Sequence, residues 1–145
     1  MPFYLSEIET RKQLIDKELS AAGWGDAEKV RVEVLIYAVA EESDGFADYV
    51  LLDSRGNPLA IVEAKKTSRD ELSGKRQAAD YADAIERKTG FDPFIFLTNG
   101  KEVQFWDRAA SAPRKVSGFY SQADLERMEK AEAILADFKD KDMPR

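Results

Sequence analysis

FADYVLLDSRGNPLAIVEAKK, residues Phe46 to Lys66, reads as two β-strands joined by a turn. Two aliphatic runs, Phe46 to Leu52 and Leu59 to Ala64, flank the Gly- and Asn-containing segment DSRGN, a composition that favours a reversal of the chain. An antiparallel hairpin whose turn centres between Arg55 and Gly56 places Asp48 opposite Glu63, Val50 opposite Ile61 and Leu52 opposite Leu59. Side chains alternate along a strand, so Ile61, Glu63 and Lys65 share one face while Ala60, Val62 and Ala64 take the other. The first face is apolar until it ends in two acids. Directly opposed carboxylates, with Cβ atoms about 4.5 to 5.5 Å apart, repel one another, and the pairing needs a compensating charge. A divalent cation supplies one.

Such a cation polarises a phosphodiester oxygen and lowers the pKa of a bound water. Lys65 can orient that water or stabilise charge growing on the phosphate, and the carbonyl of Ala64 can serve as a neutral ligand. This is hydrolytic chemistry without histidine, and the 145 residues contain neither histidine nor cysteine. Their absence excludes disulfides, cysteine zinc sites, thiol nucleophiles, Ser/His/Asp triads and histidine general bases. Hard, oxygen-seeking cations remain the natural partners. An E-x-K triplet alone carries little, because Glu63 could simply pair with Lys65 or Lys66 on a solvated strand. The acid across the hairpin is what distinguishes it.

Outward from the hairpin, S-E-I-E at Ser6 to Glu9 predicts a capped helix running to about Ala22, before Gly23, with Ile8, Ile15, Leu19 and Ala22 on its apolar face. Val30 to Ala40 is a further candidate strand. Glu71 to Lys88 carries Ala78, Tyr81, Ala82 and Ile85 at helical spacing and ends at Gly90. Gln77 and Tyr81 lie one turn apart on the same side of that helix. The amide could orient a water or a phosphate; the tyrosine could hold the scissile backbone or simply pack in the core. Phe94 to Thr98 and Glu102 to Asp107 flank Asn99-Gly100, a hairpin signal. Phe94 to Leu97 is expected to be buried, while Phe105 and Trp106 divide between core and surface. Ala109 to Gly118 reads as a turn-rich connection. A last helix from Gln122 to Phe138, capped by Ser121, is expected to pack Leu125, Met128, Leu135 and Phe138. The expected fold is α/β, a central mixed sheet flanked by helices in the order α-β-β-β-α-β-β-α, as one domain over residues 1–145.

Asp48, Glu63-Ala64-Lys65 and Gln77-x-x-x-Tyr81 together resemble the PD-(D/E)xK nucleases, in the branch with an additional QxxxY helix motif. The segments SEIETRKQLID, AAGW, ADYVLLDSRGNPLAIVEAKK, QAADYA and LTNG are similar to the N-terminal nuclease domain of the restriction (R) subunit of type I restriction enzymes. The resemblance runs from about Ser6 to Asp107 with the motifs in family order; Ala47 stands where the superfamily name has proline. It implies a restriction-endonuclease-like fold and a type I site-specific deoxyribonuclease that cuts double-stranded DNA with one or two Mg2+ ions. Asp48, Glu63 and the Ala64 carbonyl would be the metal ligands, with Lys65, Gln77 and Tyr81 completing the catalytic set. In many relatives a first-helix glutamate also approaches the metal, which makes Glu9 or Glu7 a candidate; for Glu9, the fourth residue of S-E-I-E, capping of its own helix is expected ahead of catalysis. The family couples cleavage to an ATP-driven motor and to methyltransferase and specificity subunits. No G-x-x-x-x-G-K-[ST] loop occurs in the 145 residues, so ATP would enter only through a motor domain outside this chain. The chain then reads as the N-terminal fragment of a larger subunit.

Lys66, Arg69, Lys75 and Arg76 cluster around the start of the second long helix and are candidate contacts to DNA phosphates, although an ordinary solvated face accounts for them as well. A net charge of −6 speaks against DNA binding by counterion release alone. Tethering to a stronger DNA binder would compensate. The N-terminus lacks the apolar run of a signal peptide or membrane span, and a cytoplasmic protein is expected. Two alternatives remain from the residues: a catalytically idle DNA-binding or assembly module of the same fold, and a stand-alone repair nuclease of the superfamily.

Overall fold

The computed structural model describes residues 7–26, 28–36, 45–64 and 71–142. Along the chain run α1 (Glu7–Leu19), a π-helical turn (Ser20–Trp24), β1 (Val30–Ile36), β2 (Gly45–Leu52), β3 (Pro58–Ala64), α2 (Glu71–Thr89), β4 (Phe94–Thr98), β5 (Val103–Trp106), β6 (Arg114–Val116) and α3 (Gln122–Asp142). The strands form one six-stranded sheet in sequence order. Every neighbouring pair is antiparallel except β3 and β4, which are parallel and joined through α2. The sheet is therefore mixed, as expected.

The expected hairpin forms, with a turn built on Asp53. Its Oδ1 accepts from the amides of Arg55 and Asn57, both at 2.9 Å, and Gly56 takes the left-handed φ of 86° that the turn requires. The predicted pairing of Leu52 with Leu59 does not occur: Leu52 pairs with Pro58, and the register slips between Leu51 and Leu52. Proline has no N–H to give to the ladder, and a bulge at this end absorbs the mismatch. The slip lies on the turn side, so the register beyond it, Leu51↔Ala60, Val50↔Ile61 and Tyr49↔Val62, is the predicted one.

Each face of the sheet has its own core. On one side Val50, Leu52, Ile61, Ile95 and Leu97 pack against Ala78, Tyr81, Ala82 and Ile85 of α2. On the other, Tyr49, Leu51, Val62, Phe94, Phe96 and Phe105 meet Ile15, Leu19, Trp24, Phe119 and Leu125. Each such large side chain removed from water contributes about 1.5 to 3 kcal/mol. Phe96 sits edge-on to Phe119 with ring centroids 5.1 Å apart. The predicted split at the end of β5 holds: Phe105 is buried and Trp106 half-buried on the α2 side.

The first helix reaches Ala22 as expected, its last turn opening to π-helical geometry after Leu19, and Gly23 at φ 97° breaks it there. The turn buries Trp24, whose Nε1 donates to the carbonyl of Tyr120 at 2.8 Å. Two other expectations need correction. The stretch from Ala109 to Gly118 was expected to be a connection, yet it contains β6, paired with β5 through Val103↔Val116, Gln104↔Lys115 and Phe105↔Arg114. Its sequence, RKV, has little strand character of its own, and it is the unpaired edge of β5 that recruits it. Finally, α3 packs Leu125 and Met128 as predicted, but Leu135 and Phe138 are 53% and 62% exposed. Periodicity reveals an apolar stripe on a helix without revealing what covers it. Here the stripe runs on beyond the sheet.

Candidate active site

The β2–β3 register carries Asp48 and Glu63 to the same face, the one covered by α2. Val50 and Ile61, their neighbours two residues along, belong to the α2-side core. Asp48 is tied to the opposite strand, where its Oδ2 accepts from the Ala64 amide at 2.7 Å. Glu63 is only 5% exposed, and its Oε2 is buried without a hydrogen-bond partner among the described residues. Burial pushes the Glu63 carboxyl up to about 10, and a hydrogen bond to Asp48 and the charge of Asp48 push in the same direction. A buried oxygen left without a partner in this way costs roughly 1 to 3 kcal/mol, more if charged. Sheet ladders hold both residues in place, so neither backbone can move to relieve it.

Tyr81 closes the site from above. It lies within the α2 stripe, as its spacing predicted, and is 6% exposed. Its hydroxyl oxygen accepts from Nε2 of Gln77 at 2.8 Å, joining the two helix residues one turn apart. Burial raises the Tyr81 phenol above its ordinary range, and the charges of Glu63 and Asp48 add to the rise. Those electrostatic effects tie Tyr81 to the carboxyl pair beneath it. The packing role considered for Tyr81 is met, since its ring fills the α2-side core, and its hydroxyl is held by Gln77.

The donor set fits a hard divalent cation. Two carboxylates in contact, one with an unpartnered buried oxygen, and a strand backbone at Ala64 offer oxygen ligands of the kind Mg2+ takes. Among the described residues no three acidic, histidine or cysteine side chains converge as a ligand group. The first-helix candidates Glu7 and Glu9 lie on α1, but their side chains fall outside the described residues, as do Lys65, Lys66 and Arg69 altogether. Of the other two basic candidates, Arg76 is exposed, and Lys75 is half-buried with its Nζ 5.1 Å from the centre of the Trp106 ring. The Lys75–Trp106 contact was not anticipated from the sequence. The only signal available was that Trp106 falls on the α2 face by strand alternation.

The architecture matches that of a solved fragment assigned to an HsdR subunit of a type I restriction enzyme from Vibrio vulnificus, with a TM-score of 0.63 at 22% identity over 87% of this chain and 25% of that one. The fold is thus restriction-endonuclease-like. Residues 27–114 match the family model described as type I restriction enzyme R protein N terminus, and the chain belongs to that family. The endonuclease subunit of the EcoAI type I restriction enzyme from Escherichia coli is 28% identical over 116 residues, which is 74% of this chain and 14% of the relative. The chain accordingly spans about a seventh of that curated relative.

Proposed function

We propose that this chain is an Mg2+-dependent endonuclease domain that hydrolyses DNA phosphodiester bonds, and that it is the cleavage module of a type I restriction enzyme R subunit. One observation carries the proposal: the buried Glu63 carboxyl, hydrogen-bonded to Asp48, whose Oε2 has no partner among the described residues. Asp48, Glu63 and the Ala64 carbonyl would hold the ion, which supplies Lewis acidity to the phosphodiester and lowers the pKa of the attacking water. The ordered backbone at Ala64 fixes Asp48 through its amide and thereby fixes the ligand geometry before substrate arrives. Lys65 follows Glu63 by two residues, and its ammonium would hold the nucleophilic water or stabilise charge on the phosphoryl oxygens. Gln77 orients the Tyr81 hydroxyl, leaving the phenol proton free to be donated to a non-bridging phosphate oxygen. Glu7 or Glu9 would complete the metal shell from α1.

Coupling to an ATP-driven motor, and to methyltransferase and specificity subunits, is proposed for the whole subunit on the strength of family membership. Among the described residues no helix is long and apolar enough to cross a membrane, and a cytoplasmic location is part of the same proposal. The test is cleavage of double-stranded plasmid DNA by the R subunit with Mg2+ present. Asp48→Ala, Glu63→Ala and Lys65→Ala should each abolish cutting while ATP hydrolysis and folding persist. Cutting retained by any of the three contradicts the assignment.

A further inference from the structure

Strand alternation continues past the end of β5. Trp106 lies on the α2 side, Asp107 turns to α3, where Glu132 meets it, and Arg108 returns to α2. The Arg108 Nη1 donates to the carboxylate of Asp83 at 2.7 Å and to the main-chain carbonyl of Ala79 at 3.2 Å. Its Nε and Nη2 donate to Asp92, in the segment leading into β4, at 3.1 and 2.6 Å. The Arg108 side chain is only 17% exposed. Two residues back along the chain, Trp106 carries the Lys75 ammonium 5.1 Å from the centre of its ring.

These contacts run along one flank of α2. The helix joins two parallel strands, so it runs against them and alongside β5, which is antiparallel to β4. Two residues of strand, about 6.6 Å, match four residues of helix, about 6 Å. Trp106 therefore meets Lys75 and Arg108 meets Ala79, with Asp83 one turn further on. Gln77 and Tyr81 lie about 200° round the helix axis from that row, on the opposite flank. Between the flanks α2 meets the sheet through Ala78 and Ala82, both buried. Their methyl groups fill the seam without gripping it, so the roll of α2 about its own axis is set at its flanks.

Resting on the nuclease reading above, we infer that Arg108 is a positioning residue for DNA cleavage: it pins one flank of α2 and thereby sets where the opposite flank holds Tyr81 and Gln77 relative to Asp48 and Glu63. The guanidinium suits this task because it grips the helix by backbone as well as by side chain. The Ala79 carbonyl has a second lone pair beyond the one its helical amide uses, and a planar donor fork reaches Ala79, Asp83 and Asp92 together. A roll of about 10° moves a side-chain tip by ~1 Å at the helix's outer radius of about 5 to 6 Å. A misplacement of that size costs about tenfold to a hundredfold in rate. Nothing in the sequence singles Arg108 out, because Asp92, Asp83 and Ala79 are 16, 25 and 29 positions away from it.

Tyrosine NMR of the whole 145-residue chain, with 13C at Cζ, reads the helix position without any reaction. In Arg108→Gln the Tyr81 signal, assigned through Tyr81→Phe, should move while those of Tyr49 and Tyr120 on the opposite face of the sheet stay in place. Asp83→Asn frees one arm of the grip, leaves the Arg108–Asp92 pair intact and should move the signal the same way; it carries the test if Arg108→Gln does not fold. Plasmid cleavage by the R subunit reads the consequence. Arg108→Gln should lower kcat by about tenfold, leave KM for DNA within about twofold, and add nothing to the loss in a Tyr81→Phe background. A merely structural loss would slow both backgrounds alike. An unmoved Tyr81 signal in both variants, or a slowdown that multiplies with that of Tyr81→Phe, overturns the inference. Cutting lost in Asp48→Ala but unchanged in Arg108→Gln and Asp83→Asn defeats only this inference, whereas cutting retained in Asp48→Ala defeats the reading on which it rests.

Discussion

Among the described residues two hydrogen-bonded pairs of carboxyl groups have a member whose affinity for its proton is raised, and only one of them has the makings of a site. At Asp48–Glu63 the raised group is almost wholly buried, lies on a strand fixed by its ladders, and keeps one oxygen without a partner among the described residues. At Asp107–Glu132 burial raises Glu132 to about 8, a hydrogen bond to Asp107 adds to this, and the charges of Asp107, Asp92 and Glu129 contribute. There, however, the raised group is half-exposed on α3 and can turn toward water, and the charge of Asp92 is already taken up by Arg108 at 2.6 Å. Asp107 is engaged locally as well, accepting from the Ala109 amide at 3.3 Å. Crowded acids raise a pKa wherever they meet; an unpartnered oxygen on an immobile backbone is what asks for a cation.

The sharpest way to break this contrast is to neutralise one acid of each pair. Glu63→Gln and Asp48→Asn should lower DNA cleavage by roughly two to three orders of magnitude or more, whereas Glu132→Gln should leave the rate within about twofold. Equal losses at both pairs, measured on plasmid DNA, would erase the distinction.

The next effect is on stability. Glu63 binds its proton up to about 10 in the folded chain and only to 4.5 when unfolded. The folded state therefore holds one more proton between those values, and the metal-free protein loses stability as pH rises through that window. One proton is worth about 1.4 kcal/mol per pH unit, at most about 4 kcal/mol between about pH 5 and about pH 8. Denaturant titrations of Glu63→Gln should lack this slope; an unchanged slope would place Glu63 in water.

Smaller effects follow. Tyr81→Phe retains the buried ring and removes the hydroxyl, so cleavage should fall by about tenfold while stability changes by about 1 kcal/mol or less. For Glu132 the sign is the same as for Glu63, with stability falling as pH rises from 4.5 toward about 8. Its exposure screens the effect, and Glu132→Gln should raise stability by less than about 1 kcal/mol at neutral pH.

The two pairs also differ in how far they could be read from sequence. Asp48 and Glu63 sit in one hairpin, where alternation and a turn position suffice to bring them face to face, and the bulge at Leu52 falls where it does no harm. Gln77 and Tyr81 were legible for the same reason, because one helical turn separates them. Asp107 and Glu132 come from a strand end and a distant helix, and no local period links them. β6 was missed because its pairing partner, not its own residues, makes it a strand. The exposure of Leu135 and Phe138 was missed for a related reason: a stripe at helical spacing does not say how far the sheet beneath it extends.

A calorimetric titration of the chain with Mn2+ near neutral pH reaches the central claim most directly. Binding of one or two ions, abolished by both Asp48→Asn and Glu63→Gln and retained in Glu132→Gln, is the predicted result. No heat at millimolar metal, or binding that persists in both substituted forms, would contradict it.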